Sequence, residues 1–161
     1  MVRPPGRATY GRQMRTVSRW TPAGPDAVWS VLADGWTYPG WVVGASRMRA
    51  VTPGWPGAGA RLHHSVGSWP WLLDDETSVR EVDPGRRLVL RARATPLGAA
   101  RVEITLHPQA QGTRVEMRED AESGPSLLLP SPARQLGIVL RNREALRRLA
   151  LLAERAGRAT G

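Results

Sequence analysis

The chain has 161 residues, 41% of them hydrophobic, no cysteine, and a net charge of +9 from 23 basic side chains, every one an arginine. That length makes one domain around a single core, and the missing cysteines exclude disulfides, thiol nucleophiles and cysteine-ligated zinc. The positive excess sits at the ends, with +5 in residues 1–20, +5 in residues 134–161 and about −1 between them, so the pattern is not the basic stripe of a nucleic-acid binder.

In chain order, residues 1–12 are rich in Pro, Gly and Arg and read as a disordered basic tail, followed by one folded domain over residues 13–157. The N-terminus has no apolar core and no small-residue cleavage site, and no apolar run approaches the ~20 residues of a membrane-spanning helix. A cytoplasmic protein without a transmembrane segment is therefore expected. "QMRTVSRW" suits a first strand. "GPDAVWSVLAD" suits a short amphipathic helix with Pro25 at its first position and Asp26 in its first turn. "GWTYPGW" continues as a broken helix or loop.

From residue 43 to residue 121, six short extended segments alternate with turn chemistry, as in an antiparallel meander. "SWPW" marks one sharp turn, and Asp83, Pro84 and Gly85 stand in the order a type II turn prefers. The period then becomes helical. Ser131 is placed as an N-cap, Pro132 at the first position and Gly157 as a C-cap of one long helix over residues 132–156. Its apolar stripe runs through Leu136, Val139, Leu140, Leu146, Leu149, Ala150 and Ala153.

This order of elements, with "VWSVLADGWTYPGWVVGASRMRAV", "PGAGARLHHSVGSWPWLLDD" and "RNREALRRLALLAE", resembles the SRPBCC superfamily of START-like helix-grip proteins. Within it, the chain is similar to the polyketide cyclase/dehydrase-like family over about residues 14–156. The resemblance implies an α+β helix-grip fold. A seven-stranded curved antiparallel sheet wraps around the long C-terminal helix, two short helices follow the first strand, and a hydrophobic cavity lies between sheet and helix. Members of the superfamily bind lipids, sterols, polyketides or hormones, and only some are enzymes, so the fold does not fix the activity.

Seven tryptophans stand against no phenylalanine and no lysine. Both absent residues have A/T-rich codons, which points to high-GC coding and weakens tryptophan number as a binding signal. Position says more. Trp36, Tyr38 and Trp41 fall where the short helices would close one end of the groove, and Trp69 and Trp71 fall near a turn between strands. All five are candidate cavity walls.

Strand alternation turns His64 inward with Leu62 and Val66, Asp75 inward with Leu73, Thr77 and Val79, and Glu119 inward with Val115 and Met117. Uninterrupted strands are assumed. On the long helix, Asn142 lies between Val139 and Leu146, with Arg143 beside it. His64 with Asp75 or Glu119 could do general acid/base work on a carbonyl-rich substrate, with Asn142 or Arg143 holding an oxygen. The same groups could instead satisfy one another and orient a ligand.

No metal site is expected, because His63 and His64 point to opposite faces and His107 is placed at a turn. No cofactor motif occurs. Three functions stay open: a module binding a hydrophobic small molecule, a polyketide cyclase, aromatase or dehydratase using the same cavity, and an interaction protein using its basic termini. A monomer or weak homodimer is expected.

Overall fold

The computed structural model describes residues 15–96, 98–128 and 130–159; the expected tail over residues 1–12 lies outside them. Strand β1 (Arg15–Thr21) leads into helix α1 (Pro25–Ala33), a 3-10 turn (Gly35–Thr37) and the one-turn helix α2 (Tyr38–Trp41). Six strands follow: β2 (Ala45–Val51), β3 (Arg61–Ser68), β4 (Trp71–Asp83), β5 (Arg87–Ala94), β6 (Gly98–Gln109) and β7 (Gly112–Ser123). A 3-10 turn (Pro125–Leu128) then precedes the long helix α3 (Ser131–Ala159). The seven strands form one antiparallel sheet in the order β1-β7-β6-β5-β4-β3-β2, curved around α3 in the helix-grip arrangement.

Local chemistry accounts for these elements. Pro25 opens α1, Asp26 meets the positive end of its dipole, and Val28, Val31 and Leu32 form its buried side. The Asp34 carboxylate accepts the Trp36 N–H at 3.0 Å and caps the following 3-10 turn. Gly85 takes φ +76° in the turn between β4 and β5, where the Arg86 N–H reaches the Asp83 carbonyl at 3.0 Å.

Curvature comes from register shifts. The β2–β3 ladder skips between Ala45 and Arg47 and again between Met48 and Ala50, with the extra residues on β2, an edge strand. In the β4–β5 ladder the extra residue falls between Val79 and Glu81, and in the β6–β7 ladder it lies on β7 between Ala121 and Ser123. Each bulge therefore lies off β3 or beyond the inward-facing residues of β4 and β7. Alternation stays in phase through His64, Asp75 and Glu119, and all three are buried.

The core lies between the concave face of the sheet and α3. Leu62, Leu88, Leu90, Ile104 and Met117 from the strands meet Leu146, Leu149 and Ala153 of α3 and Val28 and Leu32 of α1. Gly35 is buried so closely that an added Cβ would stand 2.6 Å from Leu62 Cδ2 and 2.9 Å from Val51 Cγ1. A glycine at this position is what lets the 3-10 turn sit on the sheet.

Three expectations along the chain are corrected. Helix α3 does not end at Gly157 but runs through it to Ala159. A Cβ at Gly157 would lie 3.6 Å from the Ala27 Cβ, so the glycine sits at the α1–α3 contact rather than at a helix cap. Leu136 and Leu140 do not join the buried stripe and are more than half exposed, whereas the buried stripe of α3 begins at Asn142, Ala145 and Leu146 and the helix packs mainly on α1, β1 and α2. His107 lies within β6, paired with Arg114, rather than at a turn.

Candidate functional site

A cavity of about 100 Å³ lies between α2, the inner face of the sheet and the middle of α3. Its apolar wall comes from Trp41, Val42 and Val43, from Val66, Leu90, Ala92, Val102 and Met117 on the strands, and from Ala145 on α3. Into this apolar space the fold sets Tyr38, His64, Glu119, Arg141 and Asn142, with Arg93 also on the wall. An engineered apolar cavity of ~150 Å³ accepts benzene. This one is smaller, so it takes a chain end or part of a ring, and the rest of any larger molecule must extend through the mouth.

The polar groups form two sets. In the first, the Tyr38 hydroxyl and the Thr77 hydroxyl are 2.9 Å apart, and His64 Nε2 lies 3.1 Å from the same Thr77 oxygen. The Tyr38 ring also packs on His64 with centroids 5.1 Å apart and on Trp41, edge-on, at 5.3 Å. Burial pushes the Tyr38 phenol up to about 12, although the Thr77 hydrogen bond and the Arg141 charge oppose it. Tyr38 is thus a neutral hydroxyl at any physiological pH. Burial likewise pushes the His64 imidazole below its ordinary 6.5, against the opposing charge of Asp75 and with a smaller contribution from Arg49.

The second set is the ion pair between Glu119 on β7 and Arg141 on α3. The carboxylate side chain is only 4% exposed and the arginine 42%, so the pair spans from the interior to the surface. Two buried polar atoms at this cavity, His64 Nδ1 and Asn142 Nδ2, have no hydrogen-bond partner of good geometry among the described residues, the Ser65 backbone giving the imidazole only a weak contact. Each side chain is almost fully buried, and a buried polar atom left alone costs about 1–3 kcal/mol.

The His64 shift sets a sign for stability. With its folded value lowered, the unfolded imidazole binds a proton that the folded one resists, so stability falls as pH drops below the ordinary histidine value. His64→Asn is expected to flatten this loss. Thermal melts of both proteins at neutral and mildly acidic pH measure it, and an unchanged slope in the variant would place the effect elsewhere.

Of the residues expected at the site, Tyr38, Trp41, His64, Met117, Glu119 and Asn142 line the cavity. Leu146 is buried in the core and Val139 packs against it, but neither reaches the cavity. Asp75 is buried and is His64's cross-strand partner on β4, yet its carboxylate is not hydrogen-bonded to the imidazole. One oxygen accepts the Glu76 N–H at 3.0 Å and the other the Thr95 N–H at 2.8 Å, which ties β4 to the β5–β6 turn. Arg143 faces solvent.

Trp36, Trp69 and Trp71 are not cavity walls; they are 60%, 85% and 83% exposed. The capped turn that buries Gly35 turns Trp36 outward. The tip of the β3–β4 hairpin projects past the sheet, because β5 pairs with β4 only from Thr77 onward. Among the lining residues missed by the sequence, which include Arg93 and Ala145, the one that carries charge into the interior is Arg141. It and Arg143 flank Asn142 by ~100° on either side of the helix, and helical period alone cannot choose between them. The available signal was Glu119, a carboxylate expected to be buried and thus in need of a cation.

The family model for "Polyketide cyclase / dehydrase and lipid transport" matches residues 14–154. No curated protein matches the chain. Solved structures share the fold. Protein CV1439 from Chromobacterium violaceum aligns at 18% identity with a TM-score of 0.65, over 88% of this chain and 97% of its own. The di-domain ARO/CYC StfQ from the steffimycin biosynthetic pathway aligns at 15% identity and 0.68, over 91% of this chain and 51% of its own. Ara h 8.0201 aligns at 9% and 0.65, over 88% and 97%. At these identities the likeness is one of fold.

Proposed function

The chain belongs to the polyketide cyclase/dehydrase and lipid transport family, and from that premise we propose that it binds an amphipathic small molecule, lipid- or polyketide-like, in the cavity between sheet and α3. The apolar body of the ligand lies against Trp41, Val66, Leu90 and Met117, and an oxygen-bearing end meets Asn142 and His64. The observation that carries this reading is the pair of buried atoms without partners, His64 Nδ1 and Asn142 Nδ2, on a cavity whose other buried polar groups, Tyr38 and Glu119, are already paired with Thr77 and Arg141. A carbonyl or hydroxyl oxygen can accept from the Asn142 amide, and a hydroxyl can also pair with the imidazole. The ligand would thereby repay two desolvated groups that the fold leaves unmatched.

The enzyme reading draws on the same residues, but its acid/base set is thinner than the sequence led one to expect. Asp75 is committed to two backbone N–H groups and Glu119 to Arg141. His64 is left as the one candidate base, linked to Tyr38 through Thr77. The two readings separate on variants. Binding alone predicts that His64→Ala holds 2-naphthol, an aromatic body with one hydroxyl, within about tenfold of the wild-type affinity, one hydrogen bond being worth roughly 1 kcal/mol. Asp75→Asn should bind as the wild type does. Conversion of a poly-β-ketone thioester by the wild type, abolished in His64→Ala, would replace the binding reading with the enzymatic one.

A further inference from the structure

Among the described residues, ten large hydrophobic side chains are exposed, and seven of them gather at one end of the molecule. Trp69, Trp71, Leu72 and Leu73 lie on the β3–β4 hairpin tip, Leu128 is 87% exposed in the 3-10 turn after β7, and Leu136 and Leu140 ride the first turns of α3. The register places these segments together. Ser68 pairs with Trp71, Ala94 with Gly98 and Ala99 with Ser123, so the β3–β4 turn, the β5–β6 turn and the link from β7 to α3 share one end of the sheet. The α2–β2 link and Arg93, both on the cavity wall, belong to that end as well.

The charge at this end is positive. Arg15, Arg47, Arg93 and Arg143 are exposed and have no ion-pair partner among the described residues, whereas Asp74 and Glu122 are already paired with Arg49 and Arg91 at 3.3 Å. Asp120 and the buried Asp75, whose carboxylate accepts the Thr95 N–H of the β5–β6 turn, are the acids set against the four arginines, which leaves the end positive. Exposed Trp and Leu interleaved with Arg is the composition of a surface that sits at a lipid headgroup boundary, where indole rings are amphipathic anchors and guanidinium groups meet phosphate. A second copy of the chain is a poor occupant, since it would bring the same arginines face to face.

We propose that this open end docks on an anionic lipid bilayer. Trp69, Trp71 and Leu128 enter the headgroup layer, Arg15, Arg47, Arg93 and Arg143 meet lipid phosphates, and the cavity opens toward the membrane. The proposal stands on the surface and not on what the cavity holds.

The test is flotation of the full chain with vesicles of phosphatidylcholine alone and of equal parts phosphatidylcholine and phosphatidylglycerol, at about 0.1 M salt. Binding is expected to the anionic vesicles only, and Trp69→Ser/Trp71→Ser is expected to cut it about tenfold with the melting curve unchanged, because both rings are in solvent. Net charge is the same in that variant, so general attraction of a basic protein to anionic lipid would leave its binding intact and overturn the proposal. Absence of flotation overturns it too. So does a dimer in size-exclusion chromatography that the same double substitution dissociates, which would assign the patch to self-association.

Discussion

Arg141→Met is expected to lower unfolding stability by about 2–3 kcal/mol, below the ~3–5 kcal/mol typical of a wholly buried pair because the arginine is partly in solvent. The carboxylate of Glu119 would stay almost fully buried on β7, facing the apolar cavity with no cation. Glu119→Gln should cost less, since the arginine it releases, already 42% exposed, can turn to water. The double variant Glu119→Gln/Arg141→Met should recover most of the loss, because neither charge is then stranded. Urea unfolding of the four proteins measures this. Equal losses in both single variants with no recovery in the double variant would mean that the pair is not a coupled unit.

Ala145→Phe is expected to abolish ligand binding while the protein stays folded. Ala145 sits on α3 at the cavity wall, 5% exposed, and the cavity of about 100 Å³ is no larger than the ~150 Å³ space that one benzene ring fills. A phenyl group there occupies the room the ligand needs. Affinity for 2-naphthol should fall by about 100-fold or more, close to 2.7 kcal/mol, with stability changed by no more than ~1–3 kcal/mol of repacking. Calorimetric titration gives the first number and urea unfolding the second. A variant that still binds tightly would place the ligand outside this cavity.

The fold was legible in the sequence because its signals were periodic and punctuated. Alternation in "RLHHSVG" and "TRVEMRED" put His64 and Glu119 on the inner face, and both are buried there, because each bulge falls off β3 or beyond Glu119 on β7. What failed was whatever depended on where a segment stops being covered. Leu73 shares the inward face of Asp75 and Thr77 but lies on the overhanging hairpin arm, exposed, and Leu136 and Leu140 keep helical spacing over a stretch of α3 where that face is uncovered. Trp69 and Trp71, candidate cavity walls by their place near the strand turn, are exposed on the same hairpin arm. Period reports which side of an element is apolar, but it does not report where its neighbour ends. The choice of Arg143 over Arg141 failed on a different point, the flank of α3 that faces β7, which only the packed sheet decides.

The corrections converge on one picture of function. The interior holds a small cavity with a Tyr38–Thr77–His64 chain on one side and the Glu119–Arg141 pair on another; of the tryptophans expected to line it, Trp41 does, Trp69 and Trp71 stand exposed at its open end, and Trp36 is exposed on the 3-10 turn. The proposed ligand contacts at His64 and Asn142 and the exposed rings of Trp69 and Trp71 are different residues, so each set can be altered without the other.

The measurement that tests the binding reading most directly is mass spectrometry of the protein purified from its own cells, comparing native with denatured samples. One released small molecule per chain is expected, with an apolar body and at least one oxygen-bearing end, present in the wild type and missing from Ala145→Phe. The same compound recovered equally from Ala145→Phe, or a cavity that holds nothing and takes up no 2-naphthol in vitro, would contradict the binding reading.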